Sequence, residues 1–231
     1  HKTWRAYDSA NRLSKTVDGQ PGLVSEYRYD GASRLVSTIS YASLVDTSNL
    51  GSAPSANSIA PTASDADRAS RSFYDNDGLL RATLDAEGYL TEQRYDSAGH
   101  VGSRVGYATQ VDASLRAAGT LAQLLPAAST GDIVTQLLLN GKGQIAGEID
   151  GEGYLTEKVY DGNGNVVKTV RYANKVTAAV AANTTVADVR PAASAEDHVT
   201  ATDYDALNRI KQQTNAEGTV TQYMYDNAGN L

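Results

Sequence analysis

The dipeptide Tyr-Asp, followed by a short stretch carrying Gly, Asn or Ser, recurs along the chain on a fixed lattice. It stands at Tyr7-Asp8, Tyr29-Asp30, Tyr74-Asp75, Tyr95-Asp96, Tyr160-Asp161, Tyr204-Asp205 and Tyr225-Asp226. Self-similarity at a fixed period signals a repeat architecture, in which each unit buries its apolar face only against its neighbours. Two periods are superposed. Tyr29 follows Tyr7 by 22 residues, while Tyr95 follows Tyr74, and Tyr225 follows Tyr204, by 21. Tyr95, Tyr160 and Tyr225 lie 65 apart, as do Gly88, Gly153 and Gly218, and Pro61, Pro126 and Pro191. Leu139-Asn140 occupies a lattice point that requires Tyr-Asp. Gly143 still follows Gly78 by 65, so this is a decayed unit in register. All 14 tyrosines fall on repeat positions: beyond the Tyr-Asp set, Tyr41, Tyr107 and Tyr172 precede Ala, Tyr89 and Tyr154 follow Gly, and Tyr27 and Tyr223 stand two before a Tyr-Asp.

The short period reads as strand, turn, strand, turn. Leu79 to Leu84 is a short run, Asp85-Ala86-Glu87-Gly88 a turn, and Tyr89 to Tyr95 alternates, with Tyr89, Thr91, Gln93 and Tyr95 on one face and Leu90, Glu92 and Arg94 on the other. Strands of about 6–7 residues reach roughly 20–23 Å at ~3.3 Å per residue. Four-residue turns ending in Gly suit hairpins built on a type I turn plus a left-handed residue. The same reading fits Ile145 to Tyr160 with its Asp150-Gly151-Glu152-Gly153 turn, Val166 to Tyr172, and Ile210 to Tyr225 with Asn215-Ala216-Glu217-Gly218. The opening Asp or Asn can bond its own backbone two residues on, which accounts for the Asp without catalysis. The expected structural motif is therefore the Tyr-Asp set together with Gly78, Gly88, Gly99, Gly143, Gly153, Gly164, Gly218 and Gly229. The tyrosine rings, apolar with a polar tip, are expected to stack in a ladder along one sheet face.

The long period adds inserts near 43–66, 109–131 and 174–197, expected to decorate one rim of the sheet. Leu115, Leu121, Leu124 and Leu125 are helically spaced, Asp112 or Ser114 can cap, and Pro126 ends the run. Thr177 to Val189 is a weaker, Ala-rich counterpart. Ser43 to Ala60, rich in Ser, Asn, Gly and Pro, reads as loop or a single turn. The fold class is mainly β: an antiparallel hairpin array in one continuous, curved sheet, residues 1–231 forming a single array of about three 65-residue repeats.

A formal charge of −7 argues against nucleic acid or an anionic membrane as main partner and suffices for solubility. The chain has no cysteine, so disulfides are excluded. No apolar run approaches the ~18 residues of a spanning helix. The chain opens and closes within repeats, the pattern of a segment from a longer polypeptide.

Tyr74-Asp75-Asn76-Asp77-Gly78, Tyr95-Asp96-Ser97-Ala98-Gly99, Tyr160-Asp161-Gly162-Asn163-Gly164 and Tyr225-Asp226-Asn227-Ala228-Gly229 resemble the YD repeat of Rhs proteins, with related arrays in toxin-complex C components and teneurins. Tyr7 to Leu13 and Tyr29 to Leu35 match with Asn or Ser in place of Gly. The resemblance covers the chain apart from the inserts. It implies a sheet that spirals into a hollow shell around a C-terminal toxic domain, or an extracellular interaction surface, in a secreted or surface-displayed bacterial protein. The implied partner is the remainder of the same polypeptide. The family's self-cleaving core centres on an Asp-Pro motif; no Asp-Pro occurs here, so no protease residues carry over. Three long repeats make a curved wall rather than a closed container.

Isolated motifs yield to the lattice. Asp161-Gly162-Asn163-Gly164-Asn165 resembles the start of a calcium loop, but Tyr172 stands where its acidic twelfth residue belongs. Asp85/Glu87 and Asp150/Glu152 are copies of one turn, whereas a catalytic carboxylate pair is unique; Glu196/Asp197 is the remaining pair. His1, His100 and His198 share no metal-ligand spacing. No Gly-x-Ser-x-Gly occurs, and Gly141-Lys142-Gly143-Gln144 lacks the rest of a phosphate loop. The expected role is a non-catalytic structural segment without cofactor or metal. The alternative is a binding module contacting glycan or protein through tyrosine rows or inserts. Open edge strands are expected to favour edge-to-edge association.

Overall fold

The computed structural model describes residues 2–181 and 183–231; His1 lies outside the described residues, as does one position of the third insert. The strands are β1 Thr3–Tyr7, β2 Leu13–Asp18, β3 Leu23–Tyr29, β4 Leu35–Leu44, β5 Arg68–Tyr74, β6 Leu80–Leu84, β7 Leu90–Tyr95, β8 Val101–Gly106, β9 Ile133–Leu139, β10 Ile145–Ile149, β11 Tyr154–Tyr160, β12 Val166–Lys175, β13 His198–Tyr204, β14 Ile210–Thr214 and β15 Val220–Gln222. They form one antiparallel sheet whose strand order is the chain order. Short helices are confined to the inserts: a 3-10 turn at Ala56–Ser58, α1 Ala113–Arg116, α2 Leu121–Leu124 and α3 Val186–Val189. By packing, the chain divides into two compact units. One holds the residues up to Glu92 with Gly106–Asp132, the other Gln93–Val105 with Ile133–Leu231.

Within each unit every paired Tyr-Asp corner joins an odd strand to the next even strand, while the turns Asp18–Gly22, Asp85–Gly88, Asp150–Gly153 and Asn215–Gly218 and the inserts join even to odd. The two ends of the hairpins differ in register. Ala6 pairs with Lys15 but Tyr7 with Leu13, leaving Ser14 as an extra residue. The same slip falls beside Tyr29, Tyr74, Tyr160 and Tyr204, with Val36, Arg81, Val167 and Lys211 as extra residues. The decayed corner keeps it, around Ala146. Across the Asp85–Gly88 turn the pairing stays in step from Leu84↔Leu90 to Ala82↔Glu92. Each slip is a β-bulge, which bends and twists its strand and resets which face the later side chains occupy.

The inserts are not rim decoration, as expected from sequence, because their apolar residues complete the core. Ile59 joins Trp4, Ala6, Val17 and Val24 in one buried cluster. Val186 and Val189 join Leu138, Ile149, Leu155, Val170 and Tyr172 in another. Leu124 and Val111 of the second insert are buried too. On the other sheet face the register lines up hydroxyls, as in Tyr27–Thr38–Ser70 and Ser72–Thr83–Thr91.

The helically spaced run 111–125 is helical in two short pieces. Two one-turn helices form, broken at Gly119, whose N–H closes on the Leu115 carbonyl at 2.7 Å. Thr120 then starts a fresh turn with a Thr120/Gln123 capping box. Asp112 caps α1, accepting from the Ser114 N–H. In the third insert only Val186–Val189 is helical, opened by a Thr185/Asp188 box. The first insert is a loop with a single turn.

Candidate functional site at the Tyr-Asp corners

Each corner is built on its carboxylate or amide. At Asp161 the Oδ1 atom accepts the backbone N–H groups of Asn163 and Asn165, both at 2.9 Å, and Oδ2 accepts from Asn165 Nδ2 at 2.9 Å. The Gly164 N–H closes on the Asp161 carbonyl at 3.2 Å with Gly164 at φ +89°. Backbone N–H groups two and four residues on bond in the same way to Asp8, Asp30, Asp75, Asp96, Asp205 and Asp226. Asn140 of the decayed unit does likewise, accepting from Lys142 and Gln144. An amide oxygen presents the same acceptor as a carboxylate, so the corner survives the loss of Tyr-Asp. Where the fourth position lacks Gly, Asn11, Ser33 and Asn208 take φ near +60°, a region Asn tolerates better than most residues.

The carboxyls of Asp8, Asp30, Asp96, Asp161, Asp205 and Asp226 are held below their usual range by these bonds. At Asp8 the Arg12 backbone N–H is the main cause, followed by the Arg12 side chain. At Asp161 the Asn165 side chain leads, followed by its backbone.

Successive corners are linked through the residue five after the tyrosine. Arg12 bonds Asp8 at 2.7 Å, lies 4.7 Å from the centre of the Tyr29 ring, and donates to the Asp30 carbonyl and to Ser33 Oγ. Arg34 repeats this on Asp30 and the Tyr74 ring, and Arg209 on Asp205 and the Tyr225 ring. The residue reached is the left-handed residue of the next corner. Arg34 Nη1 lies over Gly78, the His100 ring over Gly143, and the Gln144 amide over Gly164, each 3.2 Å from where a Cβ would stand. Asn165 Nδ2 donates instead to Asn208 Oδ1 at 2.9 Å. Gly at these positions serves the φ angle and also makes room for the neighbour's side chain.

The corner tyrosines meet guanidinium groups on the Tyr29, Tyr74 and Tyr225 rings. Their hydroxyls bond the carbonyl that opens the preceding even strand. Tyr29 donates to Leu13, Tyr160 to Ile145, Tyr204 to Val166 and Tyr225 to Ile210, at 2.8–3.2 Å. That carbonyl belongs to the last ladder pair beside the bulge, where regular pairing stops.

A second recurring arrangement closes the inserts. Tyr41, Tyr107 and Tyr172 donate to Glu26, Glu92 and Glu157 at 2.7, 2.8 and 2.6 Å. The next residue's N–H, from Ala42, Ala108 or Ala173, bonds Asp67, Asp132 or Asp197. Those carboxylates also accept from Ser64, Ser129 and Ser194. Sequence reasoning placed Tyr41, Tyr107 and Tyr172 on repeat positions but missed what they join, although Ser64, Ser129 and Ser194, like their Asp partners, are spaced by 65.

The isolated candidates fall into structural places. Asp85 and Asp150 accept backbone N–H groups from Tyr89 and Tyr154, and Glu87 pairs with Arg68. His100 Nδ1 contacts Asp96 Oδ2 at 3.1 Å. Among the described residues no cluster of His and carboxylate side chains suits a metal.

The RHS Repeat family model matches residues 204–231. No curated protein sequence matches the chain. Among solved structures, TcdB2-TccC3 without its hypervariable C-terminal region superposes with a TM-score of 0.55 at 15% identity, over 97% of this chain and 9% of that one. TcdB2-TccC3 and the Photorhabdus luminescens Tc holotoxin pore carrying a TccC3 mutation each give 0.50 at 16% identity, over 99% of this chain and 11% of theirs. The chain thus spans about a tenth of the structures it resembles. Residues 204–231 thus carry an RHS Repeat, and the antiparallel sheet in chain order is the fold this chain shares with the TcdB2-TccC3 structures.

Proposed function

We propose that residues 1–231 act as one array, a non-catalytic wall that encloses or presents another part of the same polypeptide, such as a C-terminal toxin, in a secreted or surface-displayed bacterial protein. The observation that carries this reading is the corner-to-corner linkage, in which Arg12, Arg34 and Arg209 each tie their own Asp to the next tyrosine. Its polar groups are spent on holding hairpins in register. The Tyr-Asp residues and turn glycines are, on this reading, the structural motif. A catalytic role gains no support from the Glu–Tyr pairs, which recur once per long repeat. The adhesin-like alternative gains none from the corner tyrosines, whose hydroxyls face backbone carbonyls. No helix among the described residues is long and apolar enough to cross a membrane.

Limited proteolysis of the full-length polypeptide tests the enclosing role. Enclosure requires that segments outside the array resist cleavage until the array itself unfolds. Their cleavage at native-state rates from an intact array would refute it.

A further inference from the structure

Two clefts occupy equivalent places in the long repeat, one wholly within each unit. The first, of 480 Å³, has Arg28, Ser37 and Arg71 across its floor, with Phe73, Tyr74 and Leu121 beside them. The second, of 440 Å³, is lined by Arg94, Ser103 and Gln136, with Ala181 and Thr184 from the third insert. Arg94 and Ser103 follow Arg28 and Ser37 by 66 residues, and Gln136 follows Arg71 by 65. The repeat therefore builds one such cleft in each unit and changes its chemistry at a single floor position.

That position is set up for an anion in the first cleft. Arg28, Ser37 and Arg71 are cross-strand partners on β3, β4 and β5, so they share one face. Glu26 neutralises Arg28 at 2.6 Å, and Asp30 neutralises Arg34, which also lines the cleft, at 2.7 Å. Arg71 has no carboxylate partner among the described residues. Its Nη1 donates to the carbonyls of Arg116 and Gly119 at 3.0 and 2.9 Å, and its guanidinium lies 4.7 Å from the Phe73 ring centre. Desolvation pulls its pKa down, a sign of a charge held out of water without a counter-charge. Nε and Nη2 are left without a protein partner among the described residues. A guanidinium fixed on one edge with free donors on the other suits planar, two-point recognition of a carboxylate.

We propose that this cleft binds a carboxylate side chain of an acidic peptide segment, with Arg71 as the anion-binding residue and Phe73 and Leu121 receiving the adjoining apolar atoms. The volume suits a side chain and its neighbours rather than a folded surface. In the second cleft Gln136 provides no charge. Yet Ala181 and Thr184, 65 residues after Arg116 and Gly119, stand where the anchoring carbonyls would be. An arginine at 136 is therefore expected to be held as Arg71 is.

The test is calorimetric titration of the intact chain, at low ionic strength, with a blocked hexapeptide carrying one Glu flanked by Leu, and with its Gln analogue. The expected result is one site that prefers the Glu peptide by about tenfold or more. Leu121→Asp, which leaves Arg71 and its anchors in place, abolishes that preference, and Gln136→Arg raises the stoichiometry from one to two. Circular dichroism confirms that both variants fold. Equal affinity for the two peptides, no binding at millimolar peptide, unchanged binding in Leu121→Asp, or full displacement by equimolar inorganic phosphate would each overturn the assignment. A stoichiometry that stays at one in Gln136→Arg would overturn the shared design of the two clefts.

Discussion

Tyr172 donates its phenol hydrogen to Glu157 Oε2 at 2.6 Å, and Arg190 engages both oxygens of the same carboxylate, at 2.9 and 2.6 Å. Glu157 is only 8% exposed. The triad ties β11, β12 and the end of the third insert together beside the Leu155 cluster. Glu157→Gln keeps the shape but removes the charge that both donors address. It is expected to cost about 2 kcal/mol, the range for hydrogen bonds to charged groups, measured by urea unfolding. A loss indistinguishable from zero would mean the triad is not a structural clamp.

The same triad has a pH signature. Burial, and then the hydrogen bond to Glu157, push the Tyr172 phenol up to about 12. Folding raises this pKa above the ordinary value near 10, so the contribution is present below pH ~10 and lost as pH climbs through about 12. Arg190, with help from Tyr172, holds the Glu157 carboxyl below its usual range. That part is present above the ordinary carboxyl value of ~4.3 and lost as pH falls through the lowered one. The difference between tyrosinate absorbance titrations of the parent and Tyr172→Phe isolates the phenol. A transition near 10 in the folded protein would contradict the bond.

The corner aspartates point the same way in acid. Asp8, Asp30, Asp96, Asp161, Asp205 and Asp226 all have lowered pKa values caused by turn N–H groups and neighbouring side chains. Their contribution is present above roughly pH 4 and is lost as pH falls through the lowered values. Asp161→Asn keeps the acceptor and, by the precedent of Asn140, is expected to retain the corner and to flatten the acid dependence. Asp161→Ala is expected to lower the melting temperature at neutral pH. Identical melting of the two variants at pH 7 would show that the acceptor is not what holds the turn.

Gly153 and Gly162 separate backbone strain from crowding. Neither has any atom within 4 Å of a would-be Cβ, but Gly153 sits at φ +91°. Gly153→Ala is expected to cost about 1–2 kcal/mol from φ alone. Gly162→Ala is expected to be neutral or slightly stabilising through reduced freedom of the unfolded chain. Equal melting temperatures for the pair would refute the strain argument.

The outer strands of the sheet order are β1 and β15, and β15 is exposed along its length. The 231-residue polypeptide is expected to associate through these edges with rising concentration. Gln222→Pro, which removes an N–H on the open side of β15, is expected to reduce that association in sedimentation velocity. A monomer at all concentrations would contradict it.

The lattice of Tyr-Asp and Gly positions was sufficient to place the hairpins, their turns and the mainly β class. Those depend on local backbone preferences, such as Asp accepting from N–H groups two residues on and Gly entering positive φ, and local preferences are written in adjacent residues. The decayed unit at Leu139-Asn140 was legible for the same reason, because Gly143 kept its place. What Tyr29 and Arg12 do to each other was not legible. Neither was the return of Ile59 and Val186 onto the sheet, nor the meeting of Glu157 with Arg190. Those partners lie 17 to 55 residues apart or on different strands, and each bulge shifts the alternation by one residue before they meet. Only the tertiary structure decided which faces carry the inserts and which side chains bridge the corners, because the summed register of several hairpins, rather than any local preference, brings those atoms within reach.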